Sequence, residues 1–146
     1  MRLTVQTDYA LRLLMFLAQR QGELATIAEI AARYGISRNH LMKVAHVLAR
    51  AGFVKSTRGR AGGLALARPA DEIAIGAVAR HLERDSALVE CFRADGNACR
   101  ITGACRLQGV LYRALEAFFA VLDDCTLADL VDDNDALGRL LKEHAA

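Results

Sequence analysis

Three cysteines, Cys91, Cys99 and Cys105, fall within fifteen residues and are separated by seven and five positions. Soft, charge-donating thiolates match the iron of an iron–sulfur core. Spacings of this length let a chain wrap around a cluster several ångströms across. Structural zinc usually shows a two-residue gap between paired cysteines, which is absent here. A disulfide among three would strand the third thiol. In a reducing compartment such a group is more often metal-binding or reactive than cross-linked. Arg93, Arg100 and Arg106 flank the thiols, and Gly96, Asn97 and Gly103 leave backbone amides accessible. Both features would offset the negative charge of a thiolate-bound cluster and donate hydrogen bonds to sulfur. The pattern favours an iron–sulfur cluster over zinc, and two alternatives stay open: cysteines that merely pack in a core, and a thiol redox sensor. Cys125, twenty residues further on, reads as a packing cysteine.

The elements that must position these thiols are mainly helical, and Pro69 is the only proline. Tyr9, Ala10, Leu13, Leu14 and Leu17 share one face of a helix over residues 4–21, which Gly22 ends. Thr26 and Glu29 form a capping box for a short helix that stops at Gly35, a glycine suited to a left-handed cap. Directly afterwards Ser37 is placed to cap a third helix running to residue 50. Its inner face is Leu41, Val44, Ala45 and Leu48, and its outer face Arg38, Asn39, His40, Lys43 and His46. Two helices joined by a tight glycine turn make a helix-turn-helix. Two short strands, 53–57 and 64–67, follow with a glycine-rich tip, Arg58-Gly59-Arg60-Ala61-Gly62-Gly63, between them. A hairpin in that place is a wing.

Helix resumes over 73–83, and residues 86–105 read as a loop. A long helix then spans 106–124, with Leu107, Leu111, Ala114, Phe118 and Val121 recurring at spacings of four and three. A second stripe of Val110, Leu115, Phe119 and Leu122 lies beside the first. So wide an apolar surface needs cover from its own domain and from a second subunit, the alternative being a fully buried core helix. Thr126-Leu127-Ala128-Asp129 starts one more short helix, and a terminal helix covers 136–143. The expected architecture is mainly α: a winged helix-turn-helix domain over 1–83, a cluster-binding loop over 84–105, and a dimerisation helix with C-terminal helices over 106–146.

A chain of 146 residues with 53% hydrophobic content can bury one core. It has no apolar run of about 18 residues, so no membrane helix is expected. No secretory pattern opens it, so the cytoplasm is the expected compartment. The overall charge of +2 conceals a division. Residues 1–70 carry eleven Lys and Arg against three acids, whereas residues 71–146 carry eight against fourteen. A basic half beside an acidic half points to a polyanionic partner for the first alone. B-form DNA admits one helix into its major groove, where residues near the helix N-terminus read base edges. Ser37, Arg38, Asn39 and His40 occupy that first turn. Arg38 can fork onto guanine, Asn39 can pair with adenine, and His40 and Lys43 can reach phosphates. Arg58 and Arg60 suit the negative potential of an adjacent minor groove, and Gly62 and Gly63 let the tip approach without a Cβ. No Ser/His/Asp arrangement, phosphate-cradling loop or paired carboxylates accompany the cysteines, so neither an enzyme nor a simple electron carrier is indicated.

These residues resemble, over nearly the whole chain, the iron–sulfur winged-helix regulators that include IscR, NsrR and RirA. The likeness lies in Met1-Arg2-Leu3-Thr4 with Thr7-Asp8-Tyr9-Ala10-Leu11-Arg12, in Tyr34-Gly35-Ile36-Ser37, in the wing 58–63, in the three cysteines, and in Phe118-Phe119-Ala120-Val121-Leu122 with Thr126-Leu127-Ala128-Asp129-Leu130-Val131. Three residues past the last cysteine, where the IscR type with its 2Fe-2S cluster has histidine, stands Gln108, a poor iron ligand. Ser37-Arg38-Asn39-His40 and Ile101-Thr102-Gly103-Ala104-Cys105-Arg106-Leu107 are similar to the NsrR type, while Glu90-Cys91-Phe92 and Asp95-Gly96 are shared with the iron-responsive RirA type. The resemblance favours the NsrR type. It implies a homodimeric, nitric oxide-responsive repressor with a 4Fe-4S cluster on three cysteines, in preference to 2Fe-2S. A fourth, oxygen ligand would come from the partner's first helix, where Asp8 matches the position. Without the resemblance, Asp8 reads simply as a first-turn acid favoured by the helix dipole.

Overall fold

The computed structural model describes residues 2–143; Met1 and residues 144–146, the ends of two segments and of one motif set out above, lie outside the described residues. Helix α1 (Val5–Gln19) is the axle of the fold. Thr4 caps it, accepting from the Thr7 N–H at 3.2 Å. Leu13 and Leu14 are fully buried and Leu17 nearly so. Burying one such side chain contributes about 1.5–3 kcal/mol, so this single face outweighs any surface ion pair in the molecule. Helix α2 (Ile27–Tyr34) starts with both halves of the expected capping box: Thr26 Oγ1 accepts from the Glu29 N–H at 3.2 Å, and Glu29 Oε2 accepts from the Thr26 N–H at 2.7 Å. It ends at Gly35, whose φ of 63° is the left-handed conformation expected there. Helix α3 (Arg38–Arg50) buries Leu41, Val44, Ala45 and Leu48 against α1 and α2. Ser37 departs from expectation: its hydroxyl makes no capping hydrogen bond. The backbone reaches the cap position, but the side chain does not turn back onto the first-turn amides.

Strands β1 (Val54–Thr57) and β2 (Gly63–Leu66) pair antiparallel, Val54 opposite Leu66 and Thr57 opposite Gly63. The hairpin is docked through a third backbone segment. Ala25 and Leu64 exchange hydrogen bonds at 3.0 and 2.8 Å, which ties the wing to the entry of α2.

Helix α4 (Ile75–Glu83) starts two residues later than its apolar pattern predicts. Residues 70–72 form a 3-10 turn, and Ile73 and Ala74 run extended, Ala74 bridging antiparallel to Thr126. The Ile75 N–H donates to Cys125 O and the Leu127 N–H to Ile73 O, both at 2.8 Å. The loop after α4 holds two 3-10 turns, at 90–92 and 102–104. Helix α5 (Arg106–Asp123) crosses α4, and α6 (Leu127–Val131) returns to α1, burying Leu127 in the common core. Thr126 and Asp129 repeat the capping box of α2. Helix α7 (Asp135–Glu143) completes the described chain. Cys125 packs against the core as expected.

The α4–α5 crossing is close because Gly76 has no side chain: a Cβ there would stand 2.7 Å from the Asp123 backbone N. Four residues along, Arg80 pins the crossing. Its guanidinium reaches Asp123 Oδ2 at 2.9 Å and Glu116 Oε1 at 3.4 Å, and lies 4.5 Å from the Phe119 ring centroid. Alanine improves helix propensity by about 1 kcal/mol over glycine, but overpacking against a backbone atom costs about 1–3 kcal/mol. Gly76→Ala therefore lowers stability to chemical denaturation, despite the propensity gain. A midpoint at or above that of the unsubstituted protein would show that the two helices separate freely.

Candidate functional site

Two surfaces carry the residues singled out above. On the first, Ser37, Arg38, Asn39, His40 and Lys43 are all exposed along the start of α3. Among the described residues, none of these side chains is engaged in an ion pair or hydrogen bond with the rest of the chain. No acid lies in the first turn of α3. With Ser37 not capping, the first-turn N–H groups remain available to an anion, and the positive end of the helix dipole favours a phosphate there. Arg58 and Arg60 extend this cationic face onto the hairpin tip, both exposed. Gly62 serves the tip's own geometry: a Cβ there would lie 2.9 Å from Gly59 O, and its N–H donates to that same oxygen at 3.0 Å. Gly59 adopts φ 109°, open chiefly to glycine. The wing glycines thus hold the tip tight so that the two arginines project from it.

The second surface is the cysteine loop. Cys91, Cys99 and Cys105 are free thiols and half-buried. Local bonds shape the loop: Glu90 Oε1 accepts from the Ala98 N–H at 3.0 Å, Asn97 Oδ1 from the Cys99 N–H at 3.0 Å, and Thr102 Oγ1 donates to Cys99 O at 2.8 Å. Cys105 occupies the N-cap position of the 18-residue helix α5 and makes no side-chain capping bond. Among the described residues, no three His, Cys, Asp or Glu side chains stand together as a ready metal site. A metal group normally supplies the free energy that gathers such ligands. The donor set itself fits an iron–sulfur group: three partly exposed soft ligands on one loop, the last of them at the start of α5.

Asp8 is not gathered with the cysteines of its own chain. It pairs with Arg12 one turn along α1, Oδ2 to Nη2 at 2.9 Å, with side chains 47% and 44% exposed. An exposed pair at this spacing contributes about 0.3–0.5 kcal/mol, so the carboxylate is held only weakly. The next residue, Tyr9, lies with its ring centroid 6.3 Å from that of His40 in the first turn of α3. The start of α1 and the start of the reading helix therefore touch.

Along α5 the two sequence stripes take different roles. Phe119 is buried on the chain's own core, with Leu115 and Leu122 beside it. Leu107 and Val121 are 59% and 71% exposed, and Ala114 is exposed between them; Leu111 and Phe118 are half-buried at the margin. The most exposed row runs Leu107, Val110, Ala114, Ala117 and Val121, alternating spacings of three and four.

Periodicity gave no sign of Glu83, the last residue of α4. Its Oε1 accepts from the Thr4 N–H and the Thr4 hydroxyl, both at 2.8 Å, and from the Thr7 hydroxyl. Burial tends to raise the Glu83 pKa, but these bonds hold it below its ordinary value. Arg80 was equally hidden. Polar partners from distant segments leave no mark on local spacing.

Comparison with known proteins bears on both surfaces. Residues 3–133 match the family described as Rrf2, iron-dependent transcriptional regulator. The chain is 50% identical over 144 residues to the HTH-type transcriptional regulator NsrR of Geobacillus kaustophilus, covering 98% of each. It is 50% identical over 143 residues to the regulator of the same name from Bacillus subtilis, covering 97% of this chain and 98% of that one. Among solved structures, IscR of T. potens superimposes with a TM-score of 0.71 at 28% identity, covering 94% of this chain and 90% of that one. The oxidized form of CymR from Staphylococcus aureus superimposes with a TM-score of 0.70 at 30% identity, covering 90% and 97%.

The wing geometry yields a direct test. On duplexes selected from a random library, Arg60→Ala weakens binding by about 1–3 kcal/mol and relaxes the preference for A·T pairs flanking the half-site. Unchanged affinity and preference would remove the wing from the DNA-reading surface.

Proposed function

The chain belongs to the Rrf2 family of transcriptional regulators, and from that premise we propose that it is a dimeric repressor whose operator binding is switched by nitric oxide at a 4Fe-4S cluster. Cys91, Cys99 and Cys105 would hold the cluster, with Asp8 of the other subunit as a fourth, oxygen ligand. Such a group would supply iron open to nitric oxide, and the Asp8 carboxylate, a hard donor, would be a more readily displaced ligand than the three thiolates.

The contact of Tyr9 with His40 is the observation that carries this reading. Asp8 is the residue before Tyr9, so whatever holds Asp8 also holds the α1 end that abuts the first turn of α3. Helix α1 packs on α3 through a fully buried face, and close-packed helices shift together rather than deform. Two reading heads engage DNA only at a defined separation of half-sites, so a small rotation of α1 in each subunit moves both out of register. A released Asp8 meets Arg12 at once, which stabilises the unligated arrangement. Moving occupancy from about 99% to about 1% requires about 5.5 kcal/mol of differential binding between the two states. The exposed row on α5 provides the subunit contact, its alternating spacing suiting a paired helix. An iron-responsive regulator would use the same ligands and differ in its trigger.

Anaerobically purified Cys99→Ala is expected to be colourless and unable to shift operator DNA, while the unsubstituted protein is brown and binds. A brown variant that binds fully would overturn the ligand assignment. Bleaching and operator release by nitric oxide, at concentrations where iron chelation does neither, supports the proposed trigger over the iron-responsive one. Val121→Glu places a charge in the α5 row and is expected to give a monomer in sedimentation; a stable dimer would move the subunit contact elsewhere.

A further inference from the structure

The first turn of α1 has little apolar cover. Val5 is 58% exposed and Gln6 is exposed as well. Beside it, an open cleft of about 980 Å³ separates Arg2 and Leu3 from the beginning of the cysteine loop and from α5. What joins this turn to the rest of the chain is polar: Glu83 accepts from the Thr4 amide, the Thr4 hydroxyl and the Thr7 hydroxyl. Thr7 is fully buried, and a buried hydroxyl left without a partner is costly. Glu83 is also the last residue of α4, immediately before the segment that leads to Cys91.

We propose that Glu83 is a positioning residue that clamps the root of the cysteine loop to the first turn of α1. It thereby sets where Asp8 is presented and how Tyr9 meets the reading helix. This inference rests on the cluster reading above, but the clamp itself is a contact within one chain. The geometry suits the task. Thr4 caps α1 and Thr7 lies one turn on, so both ends of that turn are drawn to one carboxylate oxygen. Asp8 follows directly: its N–H donates to Thr4 O at 3.1 Å, and its exposed carboxylate accepts from Arg12 Nε and Nη2. A carboxylate at a helix N-terminus is further favoured by the helix dipole. At its other end Glu83 is fixed, because α4 is pinned to α5 by Gly76 and Arg80. Displacement of the loop root is thus passed to α1 through a short, charge-assisted link.

The test uses the full-length protein with Glu83→Ala and Glu83→Gln, the glutamine keeping an acceptor oxygen at the same place. In metal-free protein, Glu83→Ala should speed amide hydrogen exchange over residues 5–9 at least about tenfold, with α3 and α5 unchanged. In cluster-loaded protein of equal iron and sulfide content, Glu83→Ala should alter the visible circular dichroism of the cluster and weaken operator binding about tenfold. Glu83→Gln should restore most of each effect. If Glu83→Ala does not fold, Thr7→Val, which removes one of the three donors, should show the same changes at smaller size. Exchange, dichroism and operator affinity that ignore these substitutions would overturn the clamp even if the cluster is present. Absence of iron and sulfide from the unsubstituted protein would instead sink the cluster reading, leaving hydrogen exchange to judge the clamp.

Discussion

Burial of α1 against α3 on one side and against α4 and α6 on another is the constraint on which the rest of this structure depends. Leu13, Leu14, Leu41, Leu48, Ile73, Val78 and Leu127 are withdrawn from water together, so the reading helix and the elements flanking the cysteine loop share one core. Interiors of this kind are packed at crystal-like density and respond to force by moving as blocks. The start of α1 and the start of α3 are consequently parts of one packed block.

The polar interactions are arranged around that block. Capping boxes at Thr26–Glu29 and Thr126–Asp129 start two short helices cleanly, and the Arg80 contacts hold the long helix at its crossing. Among the described residues, by contrast, the polar side chains at the start of α3 and on the hairpin tip make no ion pair or side-chain hydrogen bond, and Ser37 does not cap α3. Cationic groups kept out of internal ion pairs retain their full attraction for phosphate. The division of charge between the basic first half and the acidic second half places the chain's positive excess on the segment that carries α3 and the hairpin.

Some of this was legible in residue order and some was not. Capping boxes, the glycine turn between α2 and α3, the hairpin tip and the buried faces of α1 and α3 follow from signals a few residues long, since caps, turns and amphipathic periods are local physics. The α4 boundary was misplaced because Ile73 and Ala74, apolar at helical spacing, are drawn out of helix by backbone bonds to residues 125–127, a partner fifty residues away. Ser37 occupies the expected cap position without making the bond. The thiols were visible as a group in sequence but, among the described residues, are not drawn together in space, because a preformed metal site is rarely assembled without the free energy of the metal itself.

Sequence by itself therefore determined the element types, the cationic side chains at the start of α3 and on the hairpin tip, and the soft-donor chemistry of the loop, all properties of side-chain type at short spacing. Tertiary structure alone decided that Tyr9 abuts His40, that Glu83 gathers Thr4 and Thr7, and which row of α5 stays exposed. Each of these joins segments far apart along the chain. The free energy of such contacts depends on how helices pack, and no local pattern of residues encodes that.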